Sequence, residues 1–270
     1  MTGIHSLSAE QYFAAEGVSR SMLETLITAS PLHFHAEHIA QTSRKEQTYA
    51  MQLGTLTHRC ILEPETMENA FHVWPAGLDK RTKEGKAWMA EHADGSCISA
   101  DAAAAIRGMH TAVWRHPIAR KLIAGAKTEQ CLFAEDGHGT LRKARLDLIP
   151  AGGNTLADLK TCASADEHEM TKAVERRGYY RQAAFYLDLC KLLGLPFENF
   201  ALICVESAPP HDVVVYPIAA EAIAVGRHEI EGAIQTYRNC LESNTWPGRN
   251  PGLAQPISLP PWRQRELNAA

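Results

Sequence analysis

Residues 140–161 constrain this chain more than any other stretch. Their first half alternates basic and apolar side chains, their second half is mostly apolar, and a turn sequence rich in Pro, Gly and Asn separates the halves. This pattern predicts two antiparallel strands joined by a tight connection. Because strand side chains alternate between faces, Asp158 and Lys160 should point to the same side, with Asp147 opposite them on the neighbouring strand. The sequence therefore predicts two carboxylates and one amine in a small space.

Two carboxylates beside an amine suit a divalent metal. Mg²⁺ prefers oxygen ligands and usually takes one or two protein carboxylates together with waters and substrate phosphate oxygens. Lys160 could then hold a phosphate or orient the water that attacks it. The alternative is a sheet edge whose charges keep the protein soluble, and this is the commoner origin of an isolated D-x-K pattern.

Composition narrows the class of protein. A chain of 270 residues with 45% hydrophobic residues can bury a large core, and we expect one elaborated domain. No apolar run has the length of a bilayer span, and residues 1–10 lack the pattern of a signal peptide, so we expect a soluble, cytoplasmic protein with no membrane partner. The seven cysteines are scattered and never spaced C-x-x-C, which argues against disulfides, a zinc site or an iron–sulfur cluster.

The net charge of −4 means that nucleic acid could be bound only through local basic patches and bound metal. The densest basic run lies between two tryptophans and contains Lys80, Arg81, Lys83 and Lys86. Phosphate contact is one interpretation, and an exposed loop entering a solvated helix is the other. The chain has no G-x-x-x-x-G-K-[ST] loop, which disfavours an ATP-driven motor.

The remaining patterns predict helices around further strands. Capping-box spacing at residues 21–24 predicts the first of two short N-terminal helices, after a polar lead. Further helices are expected over residues 51–63, halted before Pro64, 99–126 with a break at Pro117, 167–193 as one long helix, and 219–241. Further strands are expected over residues 129–135, 200–205 and 212–216.

Four other side chains could serve a site, but each has a plainer explanation. His58 lies near the apolar face of its helix, where a histidine is more often a hydrogen-bonded core residue than a ligand. Gln182 and Tyr186 are one helical turn apart, and the usual role of such a pair is a structural hydrogen-bond link. Glu129 begins a strand, and we expect it to be a surface charge.

Taken together, these features resemble the PD-(D/E)xK nuclease superfamily, and within it the RecE-type exonucleases (exodeoxyribonuclease VIII-like, phage-type). His58 lies in a G-x-x-x-H-x-x-x-L-E-P-E phrase, and the basic run reads R-T-K-E-G-K-A-W. Asp147, D-x-K and Q-x-x-x-Y follow in the order typical of the family. Ala157 replaces the family's proline before Asp158, a position that shapes the backbone and ligates nothing. The resemblance covers roughly residues 19–216.

The resemblance implies an α/β fold with a restriction-endonuclease-like core, in which helices flank a central mixed sheet and extra helices precede it. We expect a single nuclease domain over residues 1–270, with N-terminal helices at 1–65, a core at about 127–242 and a C-terminal arm at 246–270. The implied catalytic residues are Asp147, Asp158, Lys160 and His58. The implied metal ligands are His58, Asp147, Asp158 and the Leu159 carbonyl. The implied DNA contacts are Gln182, Tyr186, Lys80, Arg81, Lys83 and Lys86.

The implied activity is that of a Mg²⁺-dependent exodeoxyribonuclease, with Mn²⁺ as a possible substitute, which degrades linear double-stranded DNA from 5′ to 3′. Its expected partners are DNA ends, a single-strand annealing protein that acts with it in recombination, and further copies of itself in a ring. The C-terminal arm could contact a neighbouring subunit or fold on its own body. Two alternatives stay open, a RecB-like or restriction-like endonuclease and a non-catalytic DNA-binding protein with the same fold.

Overall fold

A computed structural model shows the fold and describes residues 1–43, 48–92, 97–249, 252, 254, 256–260 and 263. Within these residues a seven-stranded sheet forms the centre of the molecule, and a two-stranded sheet lies apart from it. The strands of the central sheet are β1 (Gly3–His5), β2 (Val18–Ser19), β5 (Lys127–Glu135), β6 (Leu141–Ile149), β7 (Thr155–Cys162), β8 (Asn199–Glu206) and β9 (Val213–Pro217). The small sheet contains β3 (His72–Val73) and β4 (Cys97–Ile98).

The helices account for most of the remaining described chain. They are α1 (Ala9–Ala14), α2 (Arg20–Thr28), α3 (Pro31–Phe34), α4 (Tyr49–Leu62), α5 (Lys83–Glu91), α6 (Ala100–Arg115), α7 (Pro117–Ile123), α8 (Glu167–Arg176), α9 (Tyr179–Leu192) and α10 (Ala220–Ser243). A π-helical turn follows α3 at His35–Ile39, and a 3₁₀ segment follows α4 at Pro64–Asn69. Among the described residues, no helix combines the length and apolar character needed to cross a bilayer.

The central sheet is mixed, as predicted. Its strand order is β1-β5-β6-β7-β8-β9, and β2 pairs with β6 off this path. β5, β6 and β7 form the predicted antiparallel meander, β7 runs parallel to β8, and β8 is antiparallel to β9. Leu148 of β6 is paired with Ala157 of β7, which places Asp147 opposite Asp158. The antiparallel turn thus brings the two predicted site carboxylates to facing positions.

Helices cover both faces of the sheet, and each face has its own core. On one face, β-strand residues such as Leu156 and Leu202 pack in a cluster with Phe185 of α9 and Ile234 of α10. On the other face, strand residues such as Leu159 pack with residues of α4, α6 and α7. Fully burying a side chain of this size stabilises the fold by about 1.5–3 kcal/mol. The strands are therefore held between two apolar layers, as the α/β prediction requires.

The single long helix predicted over residues 167–193 is wrong. The chain forms α8 and α9, and Gly178 between them has a left-handed backbone with a φ of 61°. Such a residue cannot continue a right-handed helix. A Cβ at this position would lie 2.6 Å from Nε of Arg181 and 2.7 Å from Nη2 of Arg20. Glycine is therefore required both by the backbone and by close packing.

The predicted start of the first N-terminal helix is also wrong. Ser19 rather than Ser21 caps α2, because its hydroxyl accepts a hydrogen bond from the Met22 amide at 3.4 Å. The polar lead belongs to the fold, since β1 pairs with β5 and α1 begins with a capping box formed by Ser8 and Gln11. The N-terminus thus extends the sheet that carries the site.

The first residues of the predicted C-terminal arm pack on their own body. The Trp246 ring stacks on Phe34, with ring centroids 5.4 Å apart. The Leu32 amide donates to the Pro247 carbonyl at 3.0 Å, and Arg249 donates to the Thr28 carbonyl at 2.6 Å. Much of the predicted arm over residues 246–270 lies outside the described residues, and the predicted boundaries within the domain stay predictions.

Candidate active site

A cavity of about 650 Å³ opens beside the facing carboxylates. Its lining combines residues of the central strands with residues of α4 and α9. Asp147 and Lys160 come from β6 and β7, His58 from α4, and Gln182 and Tyr186 from α9. The sequence predicted a site from five separate motifs. Four of them meet at this cavity, and the fifth, the basic run, lies elsewhere.

The D-x-K strand places its two charged side chains together. Asp158 is only 2% exposed. Its Oδ2 lies 2.5 Å from Lys160 Nζ, and its Oδ1 accepts a hydrogen bond from Gln182 Nε2 at 2.5 Å. The Lys160 ammonium also lies 4.8 Å from the centre of the Tyr179 ring, a favourable cation–π distance. Both oxygens of Asp158 are therefore held by neighbours from β7 and α9.

Asp147 is oriented from two sides. His58 Nδ1 lies 3.2 Å from Asp147 Oδ2. The backbone N–H of Leu159 also faces the Asp147 carboxylate and helps to lower its pKa. In a strand, the N–H and C=O of one residue point towards the same edge, so the Leu159 carbonyl points towards the Asp147 side of β7 as well.

The environment drives the pKa values of the two carboxyl groups apart. Burial raises the pKa of Asp158, and the nearby negative charge of Asp147 raises it further, against the opposing effects of Lys160 and His58. Burial also favours the neutral form of Asp147, but His58 and Lys160 outweigh it and lower the pKa of that group. Divergent pKa values in neighbouring carboxyl groups are typical of catalytic and metal-binding sites.

The two aspartates favour the charged forms of both basic groups. Burial favours neutral forms of His58 and Lys160, but the two aspartates outweigh burial and raise the pKa of both groups. For His58 the main opposing influence is Asp147, and for Lys160 it is Asp158. Each basic group of the site is therefore coupled electrostatically to one aspartate.

The donor set fits a hard divalent cation. The oxygens Oδ2 of Asp147 and Oδ2 of Asp158 are buried, and each faces one basic side chain, His58 at 3.2 Å and Lys160 at 2.5 Å. A carboxylate offers about four acceptor positions, so each aspartate keeps acceptor capacity that a cation could use. Within the described ranges, no three His, Cys, Asp or Glu side chains form a ready-made metal cluster. Mg²⁺ usually takes one or two protein carboxylates, a number that Asp147 and Asp158 can supply.

The predicted glutamine and tyrosine both reach the cavity, but they make different contacts. Gln182 is 6% exposed and binds a carboxylate of the site. The Tyr186 hydroxyl donates to the backbone carbonyl of Arg145 on β6 at 3.4 Å. Gln182 is therefore placed to orient Asp158, while Tyr186 ties α9 to the strand that carries Asp147.

The predicted basic run lies outside the cavity. Lys83 and Lys86 belong to α5, and Gly85 of this helix packs closely on the Asp79 carbonyl. The Arg81 side chain is 91% exposed and pairs with Asp79 at 3.0 Å. Lys80 lies 5.2 Å from the centre of the Trp74 ring. A role for this run in binding DNA stays a prediction.

Several charged residues that line the cavity were not among the predicted site residues. They are Arg20, Arg59, Glu63, Lys143, Arg145 and Glu129, the last expected at the surface. The period of two along β6 could have indicated Lys143 and Arg145, which stand four and two residues before Asp147. No sequence pattern indicates Arg20 and Arg59, because helix packing brings them to the cavity.

Comparisons with known proteins agree with this geometry. The model of a family described as a PDDEXK-like domain of unknown function (DUF3799) matches residues 19–256. No curated protein matches the chain. A candidate exonuclease from Eubacterium rectale has a similar crystal structure, with a TM-score of 0.65 and 14% identity over 94% of this chain and 97% of that chain. This likeness shows a shared fold.

Two further crystal structures are more distant. An alkaline exonuclease (LHK-Exo) from Laribacter hongkongensis is 14% identical over 97% of this chain and all of that chain, with a TM-score of 0.42. A phage-related exonuclease from Haemophilus somnus 129PT is 11% identical over 88% of this chain and all of that chain, with a TM-score of 0.39. At these scores neither structure supports an argument about this site.

Proposed function

The chain belongs to the family of PDDEXK-like domains, and we propose that it is a metal-dependent nuclease that degrades linear double-stranded DNA from its ends. One observation carries the proposal. Asp158 is buried opposite Asp147, with Lys160 2.5 Å away. A cavity of about 650 Å³ opens at the same place. This arrangement combines metal ligands, a retained positive charge and space for a substrate.

In the proposed reaction, Asp147, Asp158 and the Leu159 carbonyl would hold the cation. When bound, a divalent cation would neutralise charge on the phosphate and lower the pKa of a water molecule. Lys160 keeps its proton, so we assign it to orienting the attacking water and to stabilising charge on the phosphate rather than to removing a proton. Gln182 holds Asp158, and His58 holds Asp147, so that both carboxylates are oriented before DNA arrives.

The size and charge of the cavity support attack at a strand end. A volume of about 650 Å³ lies within the range of small-molecule sites, of about 300–1,000 Å³, and suits a terminal nucleotide better than a duplex. The cationic residues Arg20, Arg59 and Arg145 line it despite the net charge of −4. Arg20 and Arg145 pair with Glu24 and Glu129, so these carboxylates offset part of the attraction that the arginines exert on a phosphate.

The finer assignments rest on the resemblance to RecE-type exonucleases. They are Mg²⁺ as the usual ion, with Mn²⁺ as a substitute, 5′ to 3′ polarity, and action in recombination beside a single-strand annealing protein. A ring of identical subunits would retain DNA by enclosing it, without high affinity at each site. The residues at the start of the arm, Trp246 to Arg249, contact their own body, so they support no particular subunit interface.

The test compares linear duplex DNA with covalently closed circles. We expect digestion of linear DNA with Mg²⁺, little cutting of closed circles, and no cleavage with EDTA. Duplexes labelled at the 5′ or the 3′ end determine polarity, and sedimentation determines the oligomer. Equal cutting of circles and linear DNA would favour the endonuclease alternative. DNA binding without cleavage under any divalent metal would favour the non-catalytic alternative.

A further inference from the structure

One ion pair in the cavity, between Glu129 and Arg145, is assigned above neither to the metal nor to the reacting phosphate. Glu129 Oε2 lies 2.5 Å from Arg145 Nη2, and both residues line the cavity. Their side chains are 33% and 30% exposed, respectively. Exposed or half-exposed ion pairs contribute little to stability. Stability alone therefore gives a weak reason for this pair at the edge of the site.

Glu129 makes its contact from an unusual backbone conformation. Its φ of 53° lies in the left-handed region, although it stands within β5. The neighbouring residues Thr128 and Gln130 pair with Leu148 and Leu146, so Glu129 lies across from Asp147. Left-handed backbone is unfavourable for a residue with a side chain, and such conformations are concentrated at functional sites.

Arg145 has a side-chain donor that its neighbours leave unsatisfied. Its Nε is buried and has no hydrogen-bond partner among the described residues. Its backbone is fixed by the hydroxyl of Tyr186, which donates to the Arg145 carbonyl. Arg145 precedes Asp147 by two residues in β6, so the two positions lie about 7 Å apart along the strand. A phosphate beside the reacting one would therefore lie within reach of its guanidinium.

We propose that Arg145 binds the DNA phosphate adjacent to the cleaved one, and that Glu129 holds the guanidinium in place until DNA displaces the carboxylate. The guanidinium fork recognises carboxylate and phosphate oxygens with the same geometry, so the Glu129 carboxylate occupies the position of a phosphate. This inference rests on the proposed nuclease function. It assigns Arg145 to binding the phosphate, and it assigns Glu129 to occupying the guanidinium until a phosphate replaces it.

Equilibrium binding of a short fluorescent duplex, measured in EDTA at several salt concentrations, tests this assignment without cleavage. Arg145→Gln should weaken binding about tenfold and reduce the slope of log affinity against log salt by about one, because one phosphate contact is lost. Glu129→Gln should strengthen binding about threefold, because the competing carboxylate is gone. The two halves of one ion pair thus have opposite effects on affinity.

The matched control is Arg227, which pairs with Asp188 at 2.8 Å and does not line the cavity. Arg227→Gln should leave affinity and salt slope unchanged. Arg145→Lys should keep the salt slope but lose part of the affinity, because lysine retains the positive charge but lacks the bidentate geometry of the guanidinium. If Arg145→Gln does not fold, the direction of the Glu129→Gln effect decides.

Two results would overturn the inference. One is weakening of DNA binding by Glu129→Gln, which is expected of a purely structural pair. The other is an unchanged salt slope in a folded Arg145→Gln variant. A wild-type protein that neither binds nor cleaves DNA would instead refute the proposed function, and the two failures are thereby distinguished.

Discussion

Gln182 and Asp158 form a buried hydrogen bond between α9 and β7, with Nε2 and Oδ1 2.5 Å apart. Because the amide occupies Oδ1, the other oxygen of Asp158 faces Lys160. Gln182 therefore does more than contact DNA, the role that the Q-x-x-x-Y motif implies. It determines which oxygen of a buried carboxylate is available at the proposed metal site, and this relationship shapes the predictions that follow.

Asp158→Asn should abolish cleavage with little change in the melting temperature. The variant retains an oxygen that can accept from Gln182, but it loses the charge that would hold the cation. We expect cleavage to fall by about 10²–10³-fold or more, since metal assistance stabilises the transition state by several kcal/mol. Nuclease assays beside thermal denaturation check this prediction. Near-normal activity in a pure preparation would remove Asp158 from the site.

Lys160→Gln should lower the rate of the chemical step far more than it lowers the affinity for DNA. One lysine contributes little to total phosphate contact, but Lys160 lies where water and phosphate would react. We expect the single-turnover rate at saturating DNA to fall by about 10²–10⁴-fold. If only the dissociation constant changes and the saturated rate is preserved, Lys160 is a binding residue.

Gln182→Ala should weaken metal binding without unfolding the protein. The substitution leaves Asp158 Oδ1 buried without its donor and frees the carboxylate to turn. We expect the metal concentration for half-maximal activity to rise about 10–100-fold. Gln235→Ala is the control, because Gln235 lies on the exposed part of α10 and bonds only to Asn239 among its described side-chain contacts. Equal metal dependence in both variants would contradict the assignment.

The basic run should affect DNA affinity rather than chemistry. Lys83 and Lys86 begin α5, away from the cavity. If duplex DNA extends to this surface, changing both to glutamine should reduce the salt slope by about two while leaving the saturated cleavage rate intact. Salt titrations of DNA binding measure the slope. An unchanged slope would make this run an ordinary solvated surface.

Asp136 should be important for stability and for its dependence on pH. Its Oδ2 accepts from Arg142 Nη2 at 2.8 Å and from Arg238 Nη2 at 2.6 Å, in a buried setting. Asp136→Asn would leave the buried Arg142 with only its longer contact to Glu231, at 3.5 Å, so we expect a loss of about 3–5 kcal/mol in the free energy of unfolding. Urea denaturation measures this loss, and a loss below about 1 kcal/mol would contradict it.

The Asp136 carboxylate should also make the stability of the protein depend on pH in the acid range. Burial opposes ionisation of Asp136, but the Thr140 N–H and Arg142 outweigh it and lower its pKa in the folded protein. A carboxyl group with a lowered folded pKa stabilises the protein above its unfolded pKa of about 3.9, and this contribution is lost as pH falls through the folded pKa. The stability difference between wild type and Asp136→Asn should therefore be constant near neutrality and shrink below about pH 4.

Much of the sheet could be predicted from the sequence because strand periodicity is a local property. Residues 140–161 carry alternation and turn residues, and they form the predicted antiparallel pair with Asp147 opposite Asp158. Helix ends were predictable where proline or a capping residue marks them, as at Pro64 and Pro117. The break at Gly178 was missed because apolar spacing continues across it, whereas the left-handed backbone depends on how α8 and α9 pack.

The composition of the site was only partly predictable. Asp158 and Lys160 share a strand face by local geometry, but the contacts of His58 with Asp147 and of Gln182 with Asp158 required a family resemblance. Sequence periodicity records which face of an element is buried, and it holds no information on which distant elements meet. The tertiary structure alone therefore decided that Glu129 turns into the cavity beside Arg145. The tertiary structure also decided that the basic run lies outside the cavity. Both placements depend on the packing of helices and distorted strands around the sheet.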